Sequence, residues 1–164
     1  RNYSSPSPSR RQTVLSMLAL IGFVIVTFCA PAVGVTAAPG TWYASLNKPT
    51  WNPPAWIFGP VWSLLYLLMA TAAWMVWTRD GWKLPLGLYF VQLVLNAAWT
   101  PIFFGAHELG WALVEIIALW LAILITLFSF LRVSAMAALM LVPYLAWVSF
   151  AAFLNFTLWR MNGG

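Results

Sequence analysis

The sequence predicts an all-α integral membrane protein, a bundle of five transmembrane helices. Three observations predict it. Of 164 residues, 63% are hydrophobic and only 7% are charged. Five apolar runs of membrane-crossing length follow one another, where a bilayer core needs roughly 20 apolar residues per helix. Most connections between them are short and polar, as in an up-and-down bundle of antiparallel neighbours. Such a composition leaves no room for a separate soluble catalytic domain, so residues 13–160 read as one transmembrane domain.

Residues 1–12, rich in Ser, Pro and Arg, read as a disordered polar tail. Arg10 and Arg11 resemble the basic start of a signal peptide. The apolar run behind them far exceeds the roughly 7–15 residues of a signal core, so it reads as a retained first helix. That first span covers residues 13–38, with Pro31 and Gly34 near its far end. A proline there kinks a helix or opens its last turns.

The segment 39–55 is of a different kind. It carries Trp42, Tyr43, Lys48, Pro49, Trp51, Asn52, Pro53 and Pro54, and Trp56, Phe58, Pro60 and Trp62 follow it closely. Proline fixes φ and removes a backbone donor, so the segment is stiff and not continuously helical. Tryptophan adds a large flat face with one polar N–H. A rigid, aromatic, proline-braced loop at a membrane surface reads as a lid over a flat, apolar ligand. Span two then covers 56–77, and Arg79-Asp80-Gly81 makes a polar turn. Span three covers 84–104, span four 111–131 and span five 135–159, the last two joined through Arg132-Val133-Ser134.

Loop charges orient the bundle. Arg1, Arg10, Arg11, Arg79, Lys83 and Arg132 fall on the N-terminal side, whereas Lys48 and Arg160 fall on the other. Basic residues favour the inner side, so the aromatic loop and the C-terminus face outward. Trp77 and Trp82 at one level, and Trp56, Trp111 and Trp159 at the other, read as interface belts. The net charge of +5 is scattered over helix ends and makes no nucleic-acid patch.

One histidine and one cysteine make no zinc site. Cys29, inside an apolar run, reads as a small buried apolar residue. His107, beside Glu108, belongs to a type that can ligate haem iron, but it reads as a loop residue at the interface. Glu115 lies about one turn into span four, where an acid is a functional hypothesis by default. It is expected to reach the outer interface and pair with Lys48 or Arg160.

Polar residues inside a membrane are costly and therefore informative. Gln92, Asn96 and Trp99 fall at helical spacing on one face of span three. Trp62 and Tyr66 share a face of span two, as do Tyr144, Trp147, Ala151 and Asn155 on span five. These faces should point inward, where they glue helices together or line a cavity. Asn96, Trp62, Trp99 and Trp147 converge toward the end that carries the aromatic loop, so a cavity capped by that loop accounts for both features. Nothing here resembles a nucleophile–base pair, a phosphate loop or a metal cluster.

The run Trp42-Tyr43, Leu46-Asn47-Lys48-Pro49-Thr50-Trp51-Asn52-Pro53-Pro54 and Phe58-Gly59-Pro60-Val61-Trp62 resembles the translocator protein, or tryptophan-rich sensory protein, family. Gln92-Leu93-Val94-Leu95-Asn96, Trp99-Thr100-Pro101, Phe103-Phe104 and Pro143-Tyr144 with Trp147 and Asn155 extend the resemblance over residues 14–160. It implies a five-helix bundle, usually a homodimer, in a bacterial or an organellar (mitochondrial outer) membrane. It implies binding of porphyrins such as protoporphyrin IX, of cholesterol in animal members, and of benzodiazepine-type ligands. The implied ligand site comprises Trp42, Tyr43, Pro53, Trp62, Asn96, Trp99, Trp147 and Ala151, with Asn96 as the polar contact. No cofactor or metal is obligatory, and porphyrin enters as a ligand.

The family's sterol motif at the end of the fifth span is matched only by Leu154, Phe156 and Arg160, with phenylalanine in place of tyrosine. The pattern is weak even when complete, and Arg160 serves equally as an interfacial anchor. Some family members promote light- and oxygen-dependent porphyrin breakdown, and Trp62 and Trp147 are the candidates for such photo-redox participation. Three functions therefore stand at this stage: a tetrapyrrole receptor or sensor that regulates porphyrin levels, a photo-oxidative porphyrin-degrading protein, and a transporter of tetrapyrroles or cholesterol. Five spans cannot divide into equal halves and no inverted repeat is visible, which counts against an alternating-access carrier.

Overall fold

The computed structural model describes residues 8–37 and 39–164. Residues 1–7, most of the expected tail, lie outside the described residues. Helix α1 spans Arg10–Val33 and starts three residues earlier than the sequence pattern suggests. The cause is local. The Gln12 backbone N–H donates to Ser9 Oγ at 3.3 Å and the Ser9 N–H donates to Gln12 Oε1 at 3.0 Å. This reciprocal cap satisfies two N-terminal donors and draws Arg10–Gln12 into the helix. At the other end Pro31 and Gly34 stop α1 at Val33 rather than carrying it to residue 38.

The capping loop holds one short helix, α2, Thr41–Ser45. The prolines at 39, 49, 53 and 54 flank this turn rather than interrupt it, so it forms inside an otherwise extended, proline-stiffened segment. Helix α3 is Ala55–Asp80 and ends on Gly81, whose φ of +69° favours glycine. Helix α4 is Leu84–Thr100. Pro101 has no N–H to continue the ladder, and the chain passes into a π-helical turn, Pro101–Gly105, closed by the Ala106 N–H on Pro101 O at 2.9 Å. Helices α5, Leu109–Leu131, and α6, Ala135–Met161, complete the chain.

Five of these helices are long and apolar enough to cross a membrane, with the α4 span running on through the π turn to Gly105. They close into a ring in the order α1, α3, α6, α5, α4 and back to α1. Ala70, Ala72, Ala73 and Ala137 are fully buried where α3 and α6 meet their neighbours, so the backbones approach closely. Met69, Val76, Tyr89, Tyr144, Val148 and Phe130 fill the core. The outward faces are apolar too, with Leu18, Ile25, Leu121 and Phe128 exposed. Polar side chains are instead drawn inward: Thr27, Gln92, Asn96, Thr126 and Asn155 are all buried. That is the pattern of a bundle solvated by lipid, where buried polar groups must find partners inside.

One buried expectation is reversed. Cys29 is exposed on the outward face of α1 rather than packed in the core. A helix that is apolar all round gives no periodic signal to separate its inner from its outer face.

Candidate functional site

The deep layer of the site is a hydrogen-bonded chain at the centre of the ring. Tyr66 Oη on α3 donates to Asn96 Oδ1 on α4 at 2.6 Å. Asn96 Nδ2 donates to Tyr144 Oη on α6 at 2.8 Å, and Tyr144 Oη donates to Gln92 Oε1 at 2.8 Å. Gln92 Nε2 closes on Met69 Sδ at 3.8 Å. Three helices are thus tied together across the buried centre of the ring. Asn96, the expected polar ligand contact, is buried and already holds both tyrosines. Its second amide N–H and second oxygen lone pair are what it has left for a ligand.

Trp62 lies directly above this chain, stacked on Tyr66 at 5.6 Å and edge-on to Tyr144 at 6.3 Å. Trp147 stands one turn beyond Tyr144 on α6, where Phe58 meets it edge-on at 5.9 Å and Phe150 lies at 5.5 Å. Its indole Nε1 is buried and has no hydrogen-bond partner among the described residues. A second orphan sits in the capping loop: Asn52 Oδ1 is buried and likewise unpartnered. Its neighbour Trp51 meets Phe150, so this loop position approaches the Trp147 surroundings. Ala151, four residues after Trp147, is half-buried against the same core.

A second aromatic layer lies under the loop. Trp42 stacks on His107 at 4.2 Å with an interplanar angle of 10°, and meets Phe103 at 5.9 Å. Tyr43 packs against Phe103 and Phe104, with the Lys48 ammonium 4.7 Å from its ring centre. The π turn after α4 is what aims Phe103 and Phe104 at the loop. Trp99 joins the two layers, 4.7 Å from Phe103. Its Nε1 donates to Asn155 Oδ1 at 3.1 Å, and Asn155 Nδ2 donates to Leu109 O at 2.9 Å, so this indole N–H is spent on holding α4, α5 and α6 together. Pro53 is half-buried between the loop and α3.

Seven of the eight residues expected at the site fall into two layers, and the eighth, Pro53, is half-buried in the capping loop. Trp62, Asn96, Trp147 and Ala151 belong to the deep one, and Trp42 and Tyr43 to the loop one, with Trp99 shared. Sequence reasoning quoted Phe58, Phe103 and Phe104 as motif residues without assigning them to the site, and it missed Phe150, whose spacing alone does not mark it out from lipid-facing aromatics. It also missed the tie between the loop and the C-terminal end of α6. The two aromatic layers touch where Trp99 meets Phe103.

Other expectations are not brought together. Leu154 is buried in the core, whereas Phe156 and Arg160 face outward, so the weak sterol motif forms no single surface. Glu115 pairs with neither Lys48 nor Arg160: both carboxylate oxygens are buried and without partners among the described residues. Lys48 is committed within the loop, donating to Leu46 O at 3.1 Å and Ala44 O at 3.3 Å. His107 is an exposed loop residue with φ +60°, held against Trp42. Among the described residues no three His, Cys, Asp or Glu side chains gather as a metal site.

The sequence matches the TspO/MBR family over residues 14–160. It is 44% identical to the translocator protein of Homo sapiens over 154 residues, covering 82% of this chain and 91% of that one. It is 41% identical to protein CrtK of Rhodobacter capsulatus, covering 92% of this chain and 96% of that one. Identity to the tryptophan-rich protein TspO of Chlorobaculum tepidum is also 41%, covering 90% and 92% of the two chains.

Proposed function

The chain belongs to the TspO/MBR family, and on that premise we propose that it is a membrane receptor for a tetrapyrrole of the protoporphyrin IX type. The ligand lies between the two aromatic layers, under the capping loop. One observation carries this reading: Trp147 Nε1 is a buried indole donor without a partner, set among aromatic walls. Buried polar groups are nearly always paired, and one that is not calls for an occupant that supplies the acceptor. A largely apolar site with a few converging polar groups is how small flat ligands are held. A carboxylate or carbonyl on the ligand accepts from Trp147, while Asn52 Oδ1 offers a lone pair to a ring N–H or a protonated group. Trp62 and Trp99 supply stacking faces, and Trp42 and Tyr43 close the site with the loop.

The test is quenching of tryptophan fluorescence by protoporphyrin IX in the purified protein, in the dark. Quenching should saturate and weaken in Trp147→Phe, which keeps an aromatic wall and deletes only the donor. Quenching that never saturates, or is unchanged in Trp147→Phe and Trp62→Phe alike, means that porphyrin merely partitions into detergent.

Photo-oxidative degradation is the second reading, and the Trp62–Tyr66 stack leading to Tyr144 favours it. Excited porphyrin would pass one electron to dissolved dioxygen, giving superoxide and a porphyrin cation radical, and the adjacent oxidisable rings would return an electron to that cation. Loss of the porphyrin spectrum under light in the wild type, and its persistence in Trp62→Phe, separates degradation from binding alone. Assembly as a homodimer is part of the proposal. Gly87 is open on the outward face of α4, in line with the exposed Val91 and Val94, and permits close helix approach. The proposal does not extend to a sterol at Leu154, Phe156 and Arg160, which share no surface.

A further inference from the structure

The end of the bundle opposite the aromatic loop carries a cleft of about 500 Å³. It lies where the α3–α4 turn meets the last turn of α5, and Arg79, Asp80, Ser129 and Arg132 supply its polar lining. Asp80 is already neutralised by Lys83, which pairs with it in the same turn. Among the described residues neither Arg79 nor Arg132 forms a salt bridge or a side-chain hydrogen bond. Two guanidinium groups from sequence-distant turns thus line one recess whose single carboxylate, Asp80, is already paired with Lys83. We propose that this cleft binds the phosphate of an anionic phospholipid headgroup from the inner leaflet.

The chemistry matches in three respects. Guanidinium forks pair with phosphate oxygens in a fixed two-pronged geometry, which ammonium groups do not provide. Basic recesses between membrane helices on the inner side are where anionic headgroups dock. The surroundings favour a lipid over a free phosphate ion. Leu84, in the cleft lining, is 72% exposed, and Trp82, two residues earlier in the chain, is 70% exposed. Ile125 and Phe128 share the outward face of α5 with Arg132 and lead from the cleft down an apolar surface, where acyl chains would lie. The inner location follows from the basic residues gathered at this end, and the negative charge of that leaflet supplies the ligand. Arg160, at the opposite end, is exposed and lies outside this cleft.

Native mass spectrometry of the full chain in detergent tests this, with phosphatidylglycerol and phosphatidylcholine of the same acyl chains as probes. The wild type should retain phosphatidylglycerol in preference. The preference should fall about fivefold for each arginine removed in R79Q/R132Q, fall less in R79K/R132K, which keeps the charges but loses the two-pronged geometry, and be unchanged in R160Q. Equal retention of the two lipids by the wild type overturns the proposal, as does an equal loss in R160Q, which would mean a bulk charge effect. Displacement of phosphatidylglycerol by millimolar inorganic phosphate also overturns it, because the site would then serve a soluble anion. Should the double variant fail to fold, R132Q alone is scored against R160Q by the same criterion.

Discussion

Asn47 and Asn162 stand 115 residues apart in the chain and exchange two hydrogen bonds across the mouth of the site. The Asn47 N–H donates to Asn162 Oδ1 at 2.9 Å, and Asn162 Nδ2 donates back to Asn47 O at 3.0 Å. Asn162 also donates to Leu158 O at 2.8 Å, which locks its side chain to the end of α6. The pair is a clasp between the capping loop and the last helix. Asn162→Ala removes both bonds, each worth about 1 kcal/mol net, while the aromatic packing stays. Hydrogen exchange in residues 41–46 should quicken about tenfold or more, and porphyrin should associate and dissociate faster. Unchanged exchange in the loop would show that stacking alone holds it closed.

Tyr144 is the hinge of the central polar chain, since it accepts from Asn96 and donates to Gln92. Tyr144→Phe keeps the ring and orphans an amide donor and an amide acceptor in the core. Interhelical hydrogen bonds in membranes are worth about 1 kcal/mol each, so thermal unfolding in detergent should move down by several degrees. A variant as stable as the wild type would mean that Gln92 and Asn96 repair the gap between themselves.

Glu115 places two unpartnered carboxylate oxygens in the protein interior. Burying such a group without partners is unfavourable whichever protonation state it takes. Glu115→Met, of similar length and unbranched, should raise stability by about 1–3 kcal/mol. A clear loss of stability in thermal melts would reveal a partner that binds the carboxylate. If porphyrin affinity fell with it, that partner would be the ligand.

Gly34 is placed where α1 passes close to α4. A Cβ built there would lie 2.6 Å from Thr100 Cγ2 and 2.8 Å from Thr100 Cβ. The second contact is with the root of the side chain, so rotating the threonine does not relieve it. Gly34→Ala should cost about 1–3 kcal/mol by overpacking, and Thr100→Gly should recover most of it in the double variant. Additive losses in the two variants would show that they do not meet.

The number of spans, their order and their inward faces were legible because each rests on a local rule. Membrane-crossing length follows from apolar runs, and polar residues at helical spacing must turn inward in lipid. Gln92, Asn96, Tyr66 and Tyr144 were therefore placed correctly without a structure. Helix ends were less legible, because they hang on single contacts. The Ser9–Gln12 cap extends α1 into the expected tail, and Pro101 converts the end of the third span into a π turn.

What the sequence by itself determined is the class of molecule: a five-helix membrane bundle whose aromatic loop and polar-aromatic faces share one end. What only the tertiary structure decided is which polar atoms are committed and which are free. Asn96 is largely spent on two tyrosines, Trp99 is spent on Asn155, and Trp147 keeps its donor. The clasp of Asn47 on Asn162 and the meeting of Arg79 with Arg132 belong to the same category. The physical reason is that hydrogen bonds act over about 3 Å. Residues far apart in the chain share or lack a partner only once packing has set the distance between them.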